Sequence, residues 1–172
     1  MKTDTMIYIT YYRSPFGQMT LASDGECLIG LWFEGQKYML GSFKDQPMEP
    51  KELPVFDETR RWLDIYFQGR DPGYLPSIRL TGSAFRQAVS RIMLTIPYGK
   101  TMTYGQIAAQ LARQQGRDTM SAQAVGGAVG HNPISVIVPC HRVMGSDGSL
   151  TGYAGGIDLK ARLLDLEGVK RG

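Results

Sequence analysis

Late in the chain a cysteine stands between a proline and two basic residues, Pro139-Cys140-His141-Arg142. The thiolate is the sulfur nucleophile, and adjacent His and Arg side chains favour it over the thiol. Pro139 has a restricted φ, so residue 140 is held on a stiff approach. Cys27 lacks these features: it lies between Glu26 and Leu28 in a predicted strand and reads as a small, inert apolar residue. His141 is the candidate base. Neighbours on an extended chain point oppositely, so His141 needs either a turn or a bridging water to serve the thiol. Glu167, just before Gly168, either orients His141 as the third member of a nucleophile, base and orienter set or is a solvated residue at a helix end. Between them, Gly145, Gly148, Gly152, Gly155 and Gly156 put five glycines into twelve residues around Tyr153. Gly145 and Gly148 read as turns, while the others leave backbone N–H groups uncovered where a planar ligand can approach.

Several elements must position these residues. Ile134–Val138 is a β-branched run after Asn132-Pro133 and reads as a strand that delivers Cys140 at its end. Thr103 caps a predicted helix through Gln114, and Ser121 caps another through Val129, with a short turn between them. Two short helices joined in this way suggest a helix-turn-helix. The second is almost free of large side chains, with Ala122, Ala124, Gly126, Gly127, Ala128 and Gly130. A helical glycine costs about 1 kcal/mol relative to alanine, so something must come close. Either another helix packs tightly there, or the backbone itself enters a nucleic-acid groove. Phe85, Val89, Ile92, Met93 and Ile96 share one face of a preceding core helix that ends at Pro97-Tyr98-Gly99-Lys100. A terminal helix over residues 158–166 presents Glu167.

The first third reads as a small β unit. Met6–Tyr12, Met19–Ala22 and Cys27–Phe33 are strand-like runs, separated by Ser14-Pro15-Phe16-Gly17 and by a turn containing Asp24-Gly25. A polar stretch, Lys44–Pro54, precedes a helix carrying Phe56, Trp62, Leu63, Tyr66 and Phe67 and stopped by Gly69. Pro72-Gly73, Pro76 and Gly82 then punctuate the chain, and the domain boundary falls there.

The 172 residues, 42% hydrophobic and 20% charged, exclude a disordered or collagen-like chain. Residues 1–80 hold nine Lys/Arg against eleven Asp/Glu, net −2, whereas residues 81–172 hold ten against five, net +5. The second half is therefore the one to meet a polyanion. Two cysteines and two histidines are too few for a disulfide framework or a structural zinc site. No run approaches the roughly 18 apolar residues of a membrane span, and no signal peptide is visible. The expectation is a cytoplasmic protein, without membrane association, metal or cofactor.

Taken in order, Asn132-Pro133, Val138-Pro139-Cys140-His141-Arg142-Val143, Gly152-Tyr153-Ala154-Gly155-Gly156 and Leu166-Glu167-Gly168 resemble the O6-alkylguanine-DNA alkyltransferases, also called methylated-DNA–protein-cysteine methyltransferases. The resemblance covers residues 82–172, while residues 1–70 match only loosely. It implies an α+β chain. A small antiparallel β-sheet domain with a helix, ribonuclease-H-like, over residues 1–76 precedes a mainly helical domain over 82–172 with a winged-helix-like helix-turn-helix. The implied activity is direct DNA repair: minor-groove binding of double-stranded DNA, flipping of the O6-alkylated guanine, and transfer of its alkyl group to Cys140. O4-methylthymine is an implied weaker substrate. The thioether product has no electrophilic carbonyl for water to attack, so each molecule acts once.

In the same resemblance His141, by way of a water, and Glu167 form the deprotonating relay, and Tyr104 donates to the guanine and helps rotate it out. Asn132 braces the turn before the active-site strand, and Val143 and Tyr153 line the pocket. The backbone N–H of Ala154 receives the base O6, with Arg142, Ser146 and Gly155 among the expected substrate or DNA contacts. A repair site that acts once needs no partner, so a monomer is expected, nucleoid-associated when bound to DNA. One position departs from the family: Gln123 stands where an arginine usually enters the duplex. Two rivals remain, a non-repairing binder of alkylated DNA with the same fold, which usually has Trp in place of the cysteine, and a cysteine hydrolase or acyltransferase.

Overall fold

A computed structural model of the chain describes residues 6–150 and 152–169. They divide into two compact units. One takes residues through Leu80 together with Pro133–Ser135, and the other takes Thr81–Asn132 together with residues from Val136 onward.

In the first unit the strand-forming runs give three antiparallel strands, β1 (Ile7–Ser14), β2 (Gly17–Ser23) and β3 (Leu28–Phe33). The Asp24 carboxylate accepts the backbone N–H groups of Glu26 and Cys27 at 3.0 and 2.9 Å. This local bonding competes with the ladder, so Cys27 lies half-buried on the turn rather than in the predicted strand. A short strand, β4 (Met48–Pro50), pairs in parallel with β1, giving the order β3-β2-β1-β4. The sheet is therefore mixed. Three residues ending in proline carry too little periodicity to be read as a strand, and an edge is where proline is tolerated.

Helix α1 (Pro54–Tyr66) buries Val55, Phe56, Trp62, Leu63 and Tyr66 and contacts β1 and β3. Trp32 packs in a core cluster with Ile7, Ala22, Ile29 and Phe43. A Cβ on Gly30 would lie 2.1 Å from the Trp32 ring, so only glycine leaves room for it.

The same unit contains Pro133–Ser135. Leu31 N–H donates to Pro133 O at 2.8 Å and Ser135 N–H donates to Leu31 O at 2.9 Å, forming one parallel bridge at Ile134. Ile134–Val138 is thus not the strand its β-branched residues predict. Residues 135–137 turn. Val136 adopts φ 71°, a backbone conformation that costs about 1–3 kcal/mol. Val136, Ile137 and Val138 are all buried. Their residue types answer to burial and not to a ladder.

In the second unit α2 (Ala84–Met93), α3 (Tyr104–Gln114) and α4 (Ala122–Gly130) pack on one another. Each begins at a hydroxyl side chain: Ser83 accepts from Arg86 N–H, Thr103 forms a capping box with Gln106, and Ser121 accepts from Ala124 N–H. Val89, Ile92, Met93, Ile107, Leu111 and Val125 are buried. Strand β5 (Met102–Thr103) pairs in parallel with β6 (Val143–Met144), and α5 (Ile157–Leu166) packs on the turn that carries Cys140. No helix among the described residues is long and apolar enough to cross a membrane.

Candidate active site

Cys140, His141 and Arg142 form one 3₁₀ turn, closed by Arg142 N–H donating to Pro139 O at 2.9 Å. Successive side chains on such a turn are about a third of a revolution apart, so the opposed orientation of an extended chain does not arise. Cys140 is only 5% exposed. Burial pushes its thiol above the ordinary value, while Asn132 and the charge of Lys160 pull the other way. Asn132 Nδ2 also donates to Val138 O at 2.8 Å, tying the residue that closes α4 to the approach to Cys140.

His141 and Glu167 are both buried, with Nε2 2.6 Å from Oε2. Burial would raise the Glu167 pKa, but His141 and the Arg142 guanidinium more than offset this and hold it down at about 2. Arg142 Nε donates to Oε1 at 2.8 Å and Nη2 to Oε2 at 3.0 Å. Gly99 N–H, at φ 80° in the turn after α2, donates to Oε1 at 3.0 Å. Glu167 is therefore a fixed anion. For His141 burial outweighs the pull of Glu167 and keeps the ring neutral. A neutral ring that donates Nε2–H to Glu167 has its basic lone pair on Nδ1.

Tyr104 opens α3 and lies between two glycines. Its ring is 4.0 Å from where a Cβ on Gly126 would stand, and its hydroxyl is 3.3 Å from the corresponding point on Gly152. It thus joins α4 to the loop holding Tyr153, Ala154 and Gly155. A Cβ on Gly155 would lie 2.6 Å from Leu159 and 2.9 Å from Tyr153, so the loop depends on glycine there. In contrast, nothing lies within 4 Å of a Cβ on Gly127 or Gly130. Internal helix packing therefore does not account for these two glycines.

The structure brings Cys140, Asn132 and Tyr153 together, links His141 to Glu167, and sets Tyr104 against the glycine loop. Val143 is buried, Ala154 and Gly155 are half-buried, and Gln123 is exposed on the first turn of α4. Arg142 departs from its expected place among substrate or DNA contacts. Its guanidinium is spent on Glu167 and, through Nη1, on Ile96 O at 2.7 Å. Ser146 is exposed on the Gly145–Ser149 turn, and no hydrogen bond among the described residues joins it to Cys140.

Two contributors were not read from the sequence. Gly99 looks like a helix stop, and its donated N–H has no sequence signal. Lys160 is fully buried, and its Nζ donates to Val143 O at 2.5 Å. Its signal was available: it lies three and four residues before the buried Leu163 and Leu164, on the apolar face of α5. Among the described residues no group of three or more His, Cys, Asp or Glu side chains is placed to hold a metal ion.

Comparison with known proteins places this geometry. Residues 7–72 match the 6-O-methylguanine DNA methyltransferase ribonuclease-like domain, and residues 84–169 match the DNA binding domain of the same family. A methylated-DNA–protein-cysteine methyltransferase of Haemophilus influenzae is 39% identical over 165 residues, covering 95% of this chain and 87% of that protein. One of Mycobacterium tuberculosis is 41% identical over 165 residues, covering 94% and 93%. The crystal structure of the Mycobacterium tuberculosis O6-methylguanine methyltransferase superposes with a TM-score of 0.77 at 42% identity, covering 94% of this chain and 93% of that one. The structure of the Mycobacterium tuberculosis protein in complex with DNA gives 0.76 at 40% identity, covering 94% and 92%. With both domains matched in order and this identity across nearly the whole chain, the protein belongs to the O6-methylguanine DNA methyltransferase family.

Proposed function

We propose that this chain repairs DNA directly, taking the alkyl group of O6-methylguanine onto Cys140 in a single irreversible turnover. The observation that carries the reading is a buried Cys140 beside Asn132, followed in the same turn by a His141 whose Nε2 lies 2.6 Å from Glu167 Oε2. The thiol proton passes to His141, through a water, and Glu167 stabilises the imidazolium that forms. The thiolate attacks the methyl carbon in line. The S–C bond forms as the O6–C bond breaks, and the electron pair stays on the guanine, which takes up a proton. The N–H of Ala154 and the hydroxyl of Tyr104 steady the charge that develops on the leaving base. No cofactor enters, since the lesion is itself the alkyl donor.

Helices α3 and α4 serve as the helix-turn-helix. The exposed face of α4, with Gln123, Ala124 and Gly127, lies in the minor groove, where small residues let the backbone come close. Tyr104 helps rotate the nucleotide out. Duplex DNA bearing alkylated bases is the partner, O4-methylthymine a weaker substrate, and the working form a monomer. Ser146, on its exposed turn, is a candidate phosphate contact. Residues 1–76 act as a supporting domain for residues 82–172.

The test is mass spectrometry after mixing with a duplex containing O6-methylguanine. A stoichiometric gain of one methylene on the Cys140 peptide, absent in Cys140→Ser, is expected. An unmodified peptide with tight DNA binding supports the non-repairing binder instead, and repeated turnover supports a hydrolase or acyltransferase.

A further inference from the structure

The carboxylate that orients His141 is itself gripped from two sides. Arg142 meets it with two parallel bonds, Nε to Oε1 at 2.8 Å and Nη2 to Oε2 at 3.0 Å. Oε2 is also the atom that lies 2.6 Å from His141 Nε2. On the other side, the turn over residues 96–99 that follows α2 holds both partners. Ile96 O accepts from Arg142 Nη1 at 2.7 Å, and Gly99 N–H donates to Glu167 Oε1 at 3.0 Å. Between these two residues the Tyr98 ring lies with its centre 5.7 Å from the guanidinium carbon. One turn thus offers an acceptor to the cation and a donor to the anion. The last torsion of a glutamate side chain is broad. A two-point fork fixes the plane of the carboxylate, which a single point charge does not.

Resting on His141 as the base for Cys140, we propose that Arg142 is a positioning residue for the alkyl transfer: its fork, seated on the turn over residues 96–99, aims Oε2 of Glu167 at His141 Nε2 and so leaves Nδ1 as the nitrogen that serves the thiol. Cys140, His141 and Arg142 follow one another on a single 3₁₀ turn, so one piece of backbone places the nucleophile, the base and the residue that aims the base's partner. The requirement is for geometry as well as charge. Lysine in place of Arg142 keeps the positive charge but presents one nitrogen where the fork presents two. Charge balance survives that change and aim does not.

The experiment compares wild type with Arg142→Lys in single-turnover benzyl transfer from free O6-benzylguanine. It also follows the His141 Nε2–H proton by nuclear magnetic resonance, since a proton shared with a carboxylate over so short a distance resonates far downfield. His131 is the other histidine of the chain, and His131→Gln makes the assignment. In Arg142→Lys the maximal rate should fall roughly tenfold to a hundredfold. The half-saturating concentration should stay as it is, and the downfield proton should broaden or vanish. A wild-type rate in Arg142→Lys overturns the proposal, because charge is then enough. A loss confined to the half-saturating concentration, or a slower rate with an unchanged ring signal, overturns it too, because the effect does not run through His141. If Arg142→Lys does not fold, hydrogen exchange in the wild type decides. Arg142 Nε–H and His141 Nε2–H should exchange in one opening event with equal protection, and a ring proton that exchanges while the guanidinium proton stays protected overturns the proposal. If wild type transfers no benzyl group at all, the repair reading fails, while the ring signal and the exchange still report whether Arg142 aims the pair.

Discussion

His141 Nε2 lies 2.6 Å from Glu167 Oε2, and both side chains are sealed from solvent. The same carboxylate accepts two bonds from Arg142 and one from Gly99 N–H, so one anion orients the base and neutralises a buried guanidinium. Glu167→Gln should cost more than the loss of a base partner. It leaves Arg142 charged and unpaired in the interior, a change worth about 3–5 kcal/mol. The expected outcome is a large drop in the chemical-denaturation midpoint together with slower alkyl transfer to Cys140. A folded variant of wild-type stability would show that Arg142 finds its charge balance elsewhere.

The same pair fixes how stability responds to acid. Glu167 has its folded pKa depressed from 4.5 to about 2, so its contribution is complete above 4.5 and is lost as pH falls through about 2. His141 is held neutral by burial, so the unfolded chain binds its proton first as pH drops below the ordinary 6.5. Both act in one direction. Unfolding free energy should decline from neutral pH into acid, in an upper step from His141 and a lower one from Glu167. In Glu167→Gln the lower step should flatten, which denaturation curves across the acid range will show.

How far the sequence led is clearest from neighbouring residues. The caps at Thr103 and Ser121 and the apolar face of α2 were legible, since capping and helical periodicity are local. Cys140 was legible because Pro139, His141 and the later glycines surround it in sequence. The strand over Ile134–Val138 was not there, because one bridge at Ile134 and the turn at Val136 replace a ladder. The expectation that Arg142 touches substrate or DNA comes from the family resemblance, which local sequence cannot test. Only the fold brings Glu167, 25 residues away, against Arg142. A lysine on a short terminal helix reads as solvated, and only the fold shows Lys160 buried.

Asn132 holds two things at once, the Val138 carbonyl at 2.8 Å and the Cys140 sulfur. Asn132→Ala leaves a buried carbonyl unsatisfied, a loss of about 1–3 kcal/mol. It also removes a bond that favours the thiolate. Denaturation should show the first effect. The second should appear as slower transfer of a benzyl group from free O6-benzylguanine, relieved at higher pH. A destabilised variant with an unchanged pH profile would confine Asn132 to bracing.

Gly127 tests whether the small residues of α4 serve the fold or the DNA. With nothing within 4 Å of its Cβ position, Gly127→Ala should stabilise the protein by about 0.5–1 kcal/mol. A thermal melt will show the sign. Gly127→Leu keeps the helix but thickens the exposed face, so duplex affinity and repair should fall while reaction with free O6-benzylguanine continues. Unchanged duplex affinity would place the DNA on another surface.

Gln123 is exposed on the first turn of an α4 that carries no charged side chain. A flipped nucleotide leaves a gap that costs a few kcal/mol to hold open. A glutamine can bond the orphaned base, but it is shorter than arginine and adds no attraction to phosphate. Gln123→Arg should therefore speed repair of O6-methylguanine in duplex DNA several-fold and make it fall more steeply with salt. Its reaction with free O6-benzylguanine, which needs no flipping, should be unchanged. Equal duplex rates would mean that other groups already fill the role. Arg113 and Arg117, both exposed at the C-terminal end of α3 and in the turn after it, are the residues to remove next. If they compensate, Arg113→Ala or Arg117→Ala in the wild-type background should lower duplex repair and its salt dependence together, and Gln123→Arg should restore both.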